Sequence, residues 1–334
     1  MILAGDIGGT HTRIALVEVT ENRLEKVVDR VYPSRDFRSL DEILSLFMSN
    51  QNVPVSAACF GIAGPVVNGH VSTSNLAWVI DALQLAKLLQ VTTVWLINDL
   101  QAHASGIDDL SEADFVPLNS AAPGKGNAAL IAAGTGLGEA GLYWDGIRRR
   151  PFACEGGHCD FAPRDDLEVE LFRYLRKKFG RVSYERILSG HGLQNVYEFL
   201  RDSATEREPD WLKEELAGAP DPSAVISHVG MNAKAPICER ALDIFVRVYG
   251  AEAGNLALKL LATGGVFLSG GIAARILPRL QRPEFFQAFV SKGRMQPLLE
   301  KVPIRVVNND QVGVLGAARH ASEQLKASAA MTHI

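Results

Sequence analysis

The chain has 334 residues, 47% of them hydrophobic, which is enough for one large domain or two around a sizeable core. A net charge of −4 gives no basic footprint for nucleic acid or acidic lipid. No apolar run reaches the ~18 residues that cross a bilayer, and Asp6 arrives too early for a signal sequence, so a cytoplasmic protein that does not bind membranes is expected.

The first predicted element is a short apolar strand, Leu3-Ala4-Gly5-Asp6-Ile7, closed by Gly8-Gly9-Thr10 and followed by the β-rich run Arg13-Ile14-Ala15-Leu16-Val17. This pattern reads as a hairpin whose tight turn uses positive φ at the glycines. The glycines also let backbone amides approach an anion. A carboxylate at the end of a buried strand is costly unless it is paired or holds a metal. Asp6 beside such a turn therefore suggests a Mg²⁺-nucleotide site, although a plain Gly-Gly hairpin fits as well. Residues 39–48 follow as a helix with Leu40, Ile43, Leu44 and Phe47 on one face. Residues 53–62 are expected to be a buried strand ended by Ala63-Gly64-Pro65, and 80–89 an amphipathic helix. Val94-Trp95-Leu96-Ile97 is a strand that terminates in Asn98-Asp99. Strands alternating with helices of this length imply an α/β class with parallel pairing.

The middle of the chain repeats the opening logic. A small-residue strand over 128–133 runs into Gly134-Thr135-Gly136-Leu137-Gly138, then a second strand through Tyr143. This repetition points to two related lobes. Residues 165–250 read as mostly helical, with a helix over 168–179 and the start of another over 183–187. A Pro- and charge-rich surface excursion is expected over 201–222. A long helix covers 235–261. Val266-Phe267-Leu268-Ser269 is a strand that Gly270-Gly271 turns into a helix. Residues 304–307 form the last strand and 312–325 the last helix.

Four glycine-containing turns thus follow four predicted strands, at Gly8-Gly9, Gly64, Gly134-Thr135-Gly136 and Gly270-Gly271. Together they fit a nucleotide cleft. The chain has no G-x-x-x-x-G-K-[ST], and Gly134 to Gly138 leads into a strand, unlike a dinucleotide-binding fingerprint. Asp99 projects from the carboxyl end of a strand, where open α/β sheets place ligands. It can accept a proton from a hydroxyl that attacks phosphorus, or it can cap the following helix. Glu155 and His158 flank Gly156-Gly157 and can face one hydroxyl-rich ligand, or form a solvated loop. Glu185 lies near a helix start, where the dipole favours an acid. Cys154, His158 and Cys159 cluster in sequence, but no second ligand pair at zinc spacing is evident among the four cysteines.

These pieces resemble the bacterial glucokinases of the ATP-dependent, non-ROK type. The resemblance rests on Gly5-Asp6-Ile7-Gly8-Gly9-Thr10, Ser74-Asn75-Leu76-Ala77-Trp78, Ile97-Asn98-Asp99, Gly134 to Gly138 and Glu155 to His158 with Asp160-Phe161-Ala162-Pro163. It continues through Ser183-Tyr184-Glu185-Arg186-Ile187-Leu188-Ser189-Gly190, Gly254-Asn255-Leu256-Ala257-Leu258 and Gly264 to Ile272. The motifs come in the family's order and span nearly the whole chain. His11 departs from them, since the family often has asparagine there, and the cysteine-rich signature of ROK-type sugar kinases is missing.

The resemblance implies a two-lobed actin-like ATPase (ribonuclease H-like) α/β fold with an interlobe active-site cleft. The small domain would be 1–108 plus 309–334, and the large domain 109–308. It implies transfer of the ATP γ-phosphoryl group to the 6-hydroxyl of glucose, with Asp99 as general base. Asn98, Asp99, Glu155, His158 and Glu185 would bind the sugar. Asp6 would organise Mg²⁺ through water. Gly8, Gly9, Thr10, Thr135 and Gly136 would meet phosphate, and Gly270 and Gly271 would lie beside the adenosine. A homodimer is also implied. Another hexose or amino-sugar kinase on the same fold is the neighbouring reading. A sugar-sensing regulator would need an added DNA-binding module and would lack the base.

Overall fold

The computed structural model describes residues 1–20, 23–64, 66–73 and 76–331, so Pro65, Ser74 and Asn75 of the motifs above lie outside the described residues. Contacts divide the chain into two compact units. One comprises 1–114, 150–153 and 309–334, and the other 115–149 and 154–308.

The first unit opens with β1 (Ile2–Ile7), β2 (His11–Thr20) and β3 (Arg23–Pro33), followed by α1 (Leu40–Ser49) and β4 (Ala57–Ile62). A small hairpin, β5 (His70–Ser72) and β6 (Val79–Asp81), precedes α2 (Ala82–Leu89), β7 (Val94–Asn98) and α3 (Asp99–Gly106). The sheet order is β3-β2-β1-β4-β7, with β1 antiparallel to β2, parallel to β4, and β4 parallel to β7. Alternate residues of β1 feed opposite faces. Leu3 and Ile7 pack with Leu40, Ile43, Leu44 and Phe47 of α1, while Ile2 and Ala4 pack toward α3 and the C-terminal helix. Both faces are covered, which explains the nearly unbroken apolar runs of β1 and β4.

The second unit begins at β8 (Phe115–Pro117), then β9 (Ala128–Ala133) and β10 (Leu137–Trp144); β11 (Arg149–Cys154) comes next, with its residues 150–153 counted in the first unit. Helices α4 (Asp166–Phe179), α5 (Gly190–Asp202), α6 (Asp210–Gly218), α7 (Pro222–Met231) and α8 (Pro236–Leu260) follow. The unit closes with β12 (Gly265–Ser269), α9 (Gly271–Arg275), α10 (Leu277–Leu280), α11 (Pro283–Val290), α12 (Gln296–Leu299) and β13 (Ile304–Val307). The chain then returns to the first unit as α13 (Val312–Met331). The run β10-β9-β12-β13 matches β2-β1-β4-β7 in order and direction: a hairpin, then two parallel strands. The two units therefore share one sheet plan, as the repeated strand–glycine–strand pattern predicts. The core of the second unit surrounds α8, whose Phe245, Tyr249 and Ala253 are buried among residues of β9, β12, α5 and α11.

Several boundaries differ from the sequence expectation. The strand expected over 53–62 begins at Ala57; Pro54 cannot donate to a ladder, and Ser56 N instead donates to Met1 O at 2.9 Å. The helix expected from Ile80 begins at Ala82, because Asp81 caps it through Gln84 N at 2.8 Å and leaves Ile80 in β6. The excursion at 201–222 contains α6, anchored by buried Leu212. Residues 184–186 form a single 3-10 turn, and α5 starts at Gly190 behind a Ser189 cap. The last helix runs six residues past Leu325, to Met331.

Candidate functional site

In the first unit, strand register gathers the acids. Asp6 pairs with Gly61 of β4, and Ile62 pairs with Asn98 of β7. The carboxyl ends of three adjacent parallel strands thus carry Asp6, Gly61 and Asn98-Asp99. Asn98, not Asp99, caps α3: its Oδ1 accepts from Leu100 N at 2.9 Å and Gln101 N at 3.4 Å. Its Nδ2 donates to Gly64 O at 3.3 Å. Asp99 is the first helical residue and accepts from Leu100 N at 2.9 Å. Burial pushes the Asp99 carboxyl up to about 6; His103 and the Leu100 amide oppose that rise, and the charge of Asp6 adds to it.

His103 is a residue that the sequence did not single out. It lies one turn after Asp99 on α3, on the same face, with Nε2 3.6 Å from Asp6 Oδ2. Burial alone would lower its pKa, but the hydrogen bond and charge of Asp6, with Asp99 behind, raise it. The i, i+4 spacing from Asp99 was the available signal.

The turn after β1 is braced rather than strained. Contrary to expectation, Gly8 is not left-handed. Its amide donates to His11 O at 3.0 Å, and its carbonyl accepts from Ser34 Oγ at 2.7 Å. Ser34 N also donates to Thr10 O at 2.9 Å. Gly8 and Gly9 are half-buried, and Thr10 is exposed.

The second unit carries the other expected residues. Segment 159–161 pairs with 182–184 through Tyr184 N to Cys159 O and Phe161 N to Val182 O, both 3.0 Å. That pairing brings three side chains together: His158 Nε2 is 3.9 Å from Glu155 Oε2, and His158 Nδ1 is 4.0 Å from Glu185 Oε1. The other oxygen of Glu185 accepts from Leu137 N at 3.0 Å, at the end of the Gly134-Thr135-Gly136 turn. A Cβ on Gly136 would lie 2.5 Å from that oxygen, so a side chain there would displace the Glu185 carboxylate. The turn is closed by Gly134 N to Gly136 O at 2.8 Å and leaves Thr135 exposed. Because β9 and β12 run parallel with Ser269 opposite Ala132, Gly270-Gly271 emerges beside this turn. Gly270 has φ +85, and a Cβ there would lie 2.6 Å from Ala133 O. Cys154 and Cys159 are free thiols.

The carboxylate–imidazole–carboxylate set suits a ligand rich in hydroxyls, and the glycine turns suit phosphate. Fold and residues together define a sugar kinase of the actin-like ATPase class.

The glucokinase family model matches residues 3–324. The glucokinase of Nostoc punctiforme is 42% identical over 95% of this chain and 98% of its own length. The crystal structure of a glucokinase from an Antarctic psychrotroph superposes with a TM-score of 0.84 at 29% identity, covering 96% of this chain and 98% of that one. A ROK family glucokinase from Streptomyces griseus, solved with glucose and AMPPNP, has the same fold at a TM-score of 0.64 and 20% identity, covering 96% and 99%. The chain belongs to the glucokinase family.

Proposed function

We propose that this chain transfers the γ-phosphoryl group of ATP to the 6-hydroxyl of glucose, giving glucose 6-phosphate and ADP. Family membership supports the reaction class. The observation that carries the sugar assignment is the convergence of Glu155, His158 and Glu185 within about 4 Å steps. Asn98 and Asp99 of the first unit complete the sugar set. Charged and amide groups of this kind lose their partners when an epimer misplaces one hydroxyl, which can discriminate by roughly 10⁴.

Asp99 is the general base. It takes the proton from the 6-hydroxyl as that oxygen attacks the γ-phosphorus and the bond to the β-phosphate oxygen breaks. A carboxyl at about 6 is ionised at neutral pH yet basic enough to share a proton in the transition state. Phosphoryl transfer otherwise asks for positioning and charge stabilisation. Gly8, Gly9, Thr10, Thr135 and Gly136 offer amides and hydroxyls to phosphate, and Gly270-Gly271 would lie beside the adenosine.

Mg²⁺ fits the donor chemistry. Among the described residues no cluster of three or more His, Cys, Asp or Glu could cage a metal, and Mg²⁺ on a nucleotide needs only one or two carboxylates plus phosphates and water. Asp6 would organise it through water, and the ion would neutralise charge on the transferring phosphoryl group. The small domain is assigned to 1–108 with 309–334, and the large one to 109–308. No helix among the described residues is long and apolar enough to cross a membrane, and a cytoplasmic homodimer completes the proposal.

The test is a coupled kinase assay over glucose, mannose, galactose and N-acetylglucosamine, run on the wild type and on Asp99→Asn. Glucose is the preferred substrate, and Asp99→Asn loses kcat by about 10² or more while still binding glucose. Near-normal turnover in that variant sinks the base assignment.

A further inference from the structure

Glu139 lies outside every role assigned so far. It follows Leu137 by two residues on β10, and the amide of Leu137 is the group that holds Glu185. Its side chain is buried, 1% exposed, and Oε1 has no hydrogen-bond partner among the described residues. The turn that bears Glu155 and His158 rests directly on it. A Cβ on Gly156 would lie 1.8 Å from Glu139 Oε2 and 2.7 Å from Cδ, and a Cβ on Gly157 would lie 2.0 Å from Leu137 O. Gly157 is therefore required by the backbone of Leu137, and at Gly156 any side chain would displace the Glu139 carboxyl from its seat under the turn.

The surroundings cannot support a charge on Glu139. On α8 it faces Glu252, Lys259 and the phenol of Tyr249; on the turn side it faces Cys154, which also feels Glu155 and Cys159. Glu252 is fully buried and already takes the local cations and donors: Asn255 Nδ2 at 2.8 Å and Lys259 Nζ at 3.3 Å. Burial, reinforced by Glu252 and opposed by Lys259, pushes the Glu139 carboxyl up to about 8. Burial also raises the Cys154 thiol and the Tyr249 phenol above their ordinary values. An uncharged acid can lie against the turn; an ionised, unpaired one must draw water and open the contact.

We propose that Glu139 is a positioning residue of the sugar site: its uncharged carboxyl seats the Gly156–Gly157 turn, and its ionisation unseats Glu155 and His158. The inference rests on the assignment of those two residues to the sugar. Its signature is a glucose affinity that falls with rising pH while nucleotide affinity does not.

The experiment measures KM for glucose, KM for ATP and kcat from pH 6.5 to 9.5 for the wild type and Glu139→Gln, whose amide cannot ionise. If only the neutral form binds sugar, competence falls about tenfold between pH 7 and pH 9 and KM for glucose rises by the same factor. KM for ATP stays level, and Glu139→Gln abolishes the glucose rise. A merely structural Glu139 would shift KM equally at every pH. Calorimetry of glucose binding to the wild type at pH 8.5, in two buffers of different ionisation enthalpy, provides a reading independent of any variant, and proton uptake on binding is expected. A wild-type KM for glucose that is flat with pH, a rise that persists in Glu139→Gln, or binding without proton uptake overturns the proposal. A wild type that neither binds nor phosphorylates glucose at pH 7 overturns the sugar-site reading itself, so the two failures are distinct.

Discussion

The Asp99 carboxyl sets the acid side of the reaction. An unperturbed aspartate ionises near 3.9, but burial, with Asp6 adding to it, lifts Asp99 to about 6. The base works only when ionised, so activity is present above that value and is lost as pH falls through it. The expected outcome is a plot of log kcat/KM for glucose that peaks near pH 7, between the Asp99 and Glu139 ionisations, and on the acid side bends to unit slope around pH 6, since kcat/KM reports the free enzyme. A bend near pH 4 would place the base in a solvated environment that the structure does not give it. Asp99 was legible in the sequence because four apolar residues precede it and fix its place at a strand end. His103 and Glu139 were not. His103 matters through Asp6, ninety-seven positions earlier, which strand pairing alone brings near. Glu139 looks like an ordinary charge in an alternating strand until the Gly156–Gly157 turn closes over it.

Helix α3, capped by Asn98, carries Asp99 at its first position and His103 one turn on, and α13 holds it in place. The two helices touch backbone to backbone: a Cβ on Gly316 would lie 1.7 Å from Ala102 O. No side chain fits without moving one helix. Gly316→Ala adds one methyl and some helix propensity, yet overpacking costs typically 1–3 kcal/mol and falls on the contact that sets the height of α3. We expect the unfolding free energy from urea titration to fall by about that amount at an unchanged m-value, together with a kcat loss that persists in dilute buffer where the variant is folded. A variant as stable and as active as the wild type would mean that α3 is positioned by β7 alone. Periodicity exposed α1, α4 and α8 in the sequence because each buries one regular stripe. It missed β3, whose residues are all half-buried or exposed, and the short β5, β6 and α6, and it placed the start of β4 too early. Pro54 and the Asp81 cap moved those boundaries through single hydrogen bonds, which an average over a window does not register.

The first unit is built from both ends of the chain. Its sheet has α13 on one face, where Val314, Ala317, Ala318 and Ala321 pack with Ile2, Ala4, Ala15, Val17, Cys59, Ile97 and Ala102. The helix is tied down by Arg319, whose Nε donates to Asp109 Oδ2 at 2.8 Å in a pair largely removed from solvent, and by Arg13 to Asp310 at 3.0 Å just before the helix. A mixed sheet whose faces are both apolar, left with one face bare, exposes residues that have no partner in water. A chain ending at residue 308 therefore keeps every strand of the first sheet and still lacks the surface that makes it fold. Hydrogen exchange on the amides of β1 and β4 measures this directly. In the full chain they exchange only through global opening; in the truncated chain they exchange within the dead time, and a peptide spanning 309–331 added in excess restores part of the protection. The second unit gives the internal control, because all strands that pair with β9 and all helices around α8 lie before residue 309. Loss confined to β1 and β4 assigns the effect to the missing helix. Equal protection of β1 in both chains would show that α1 and the hairpin suffice to hold that sheet, and that α13 serves the position of α3 alone.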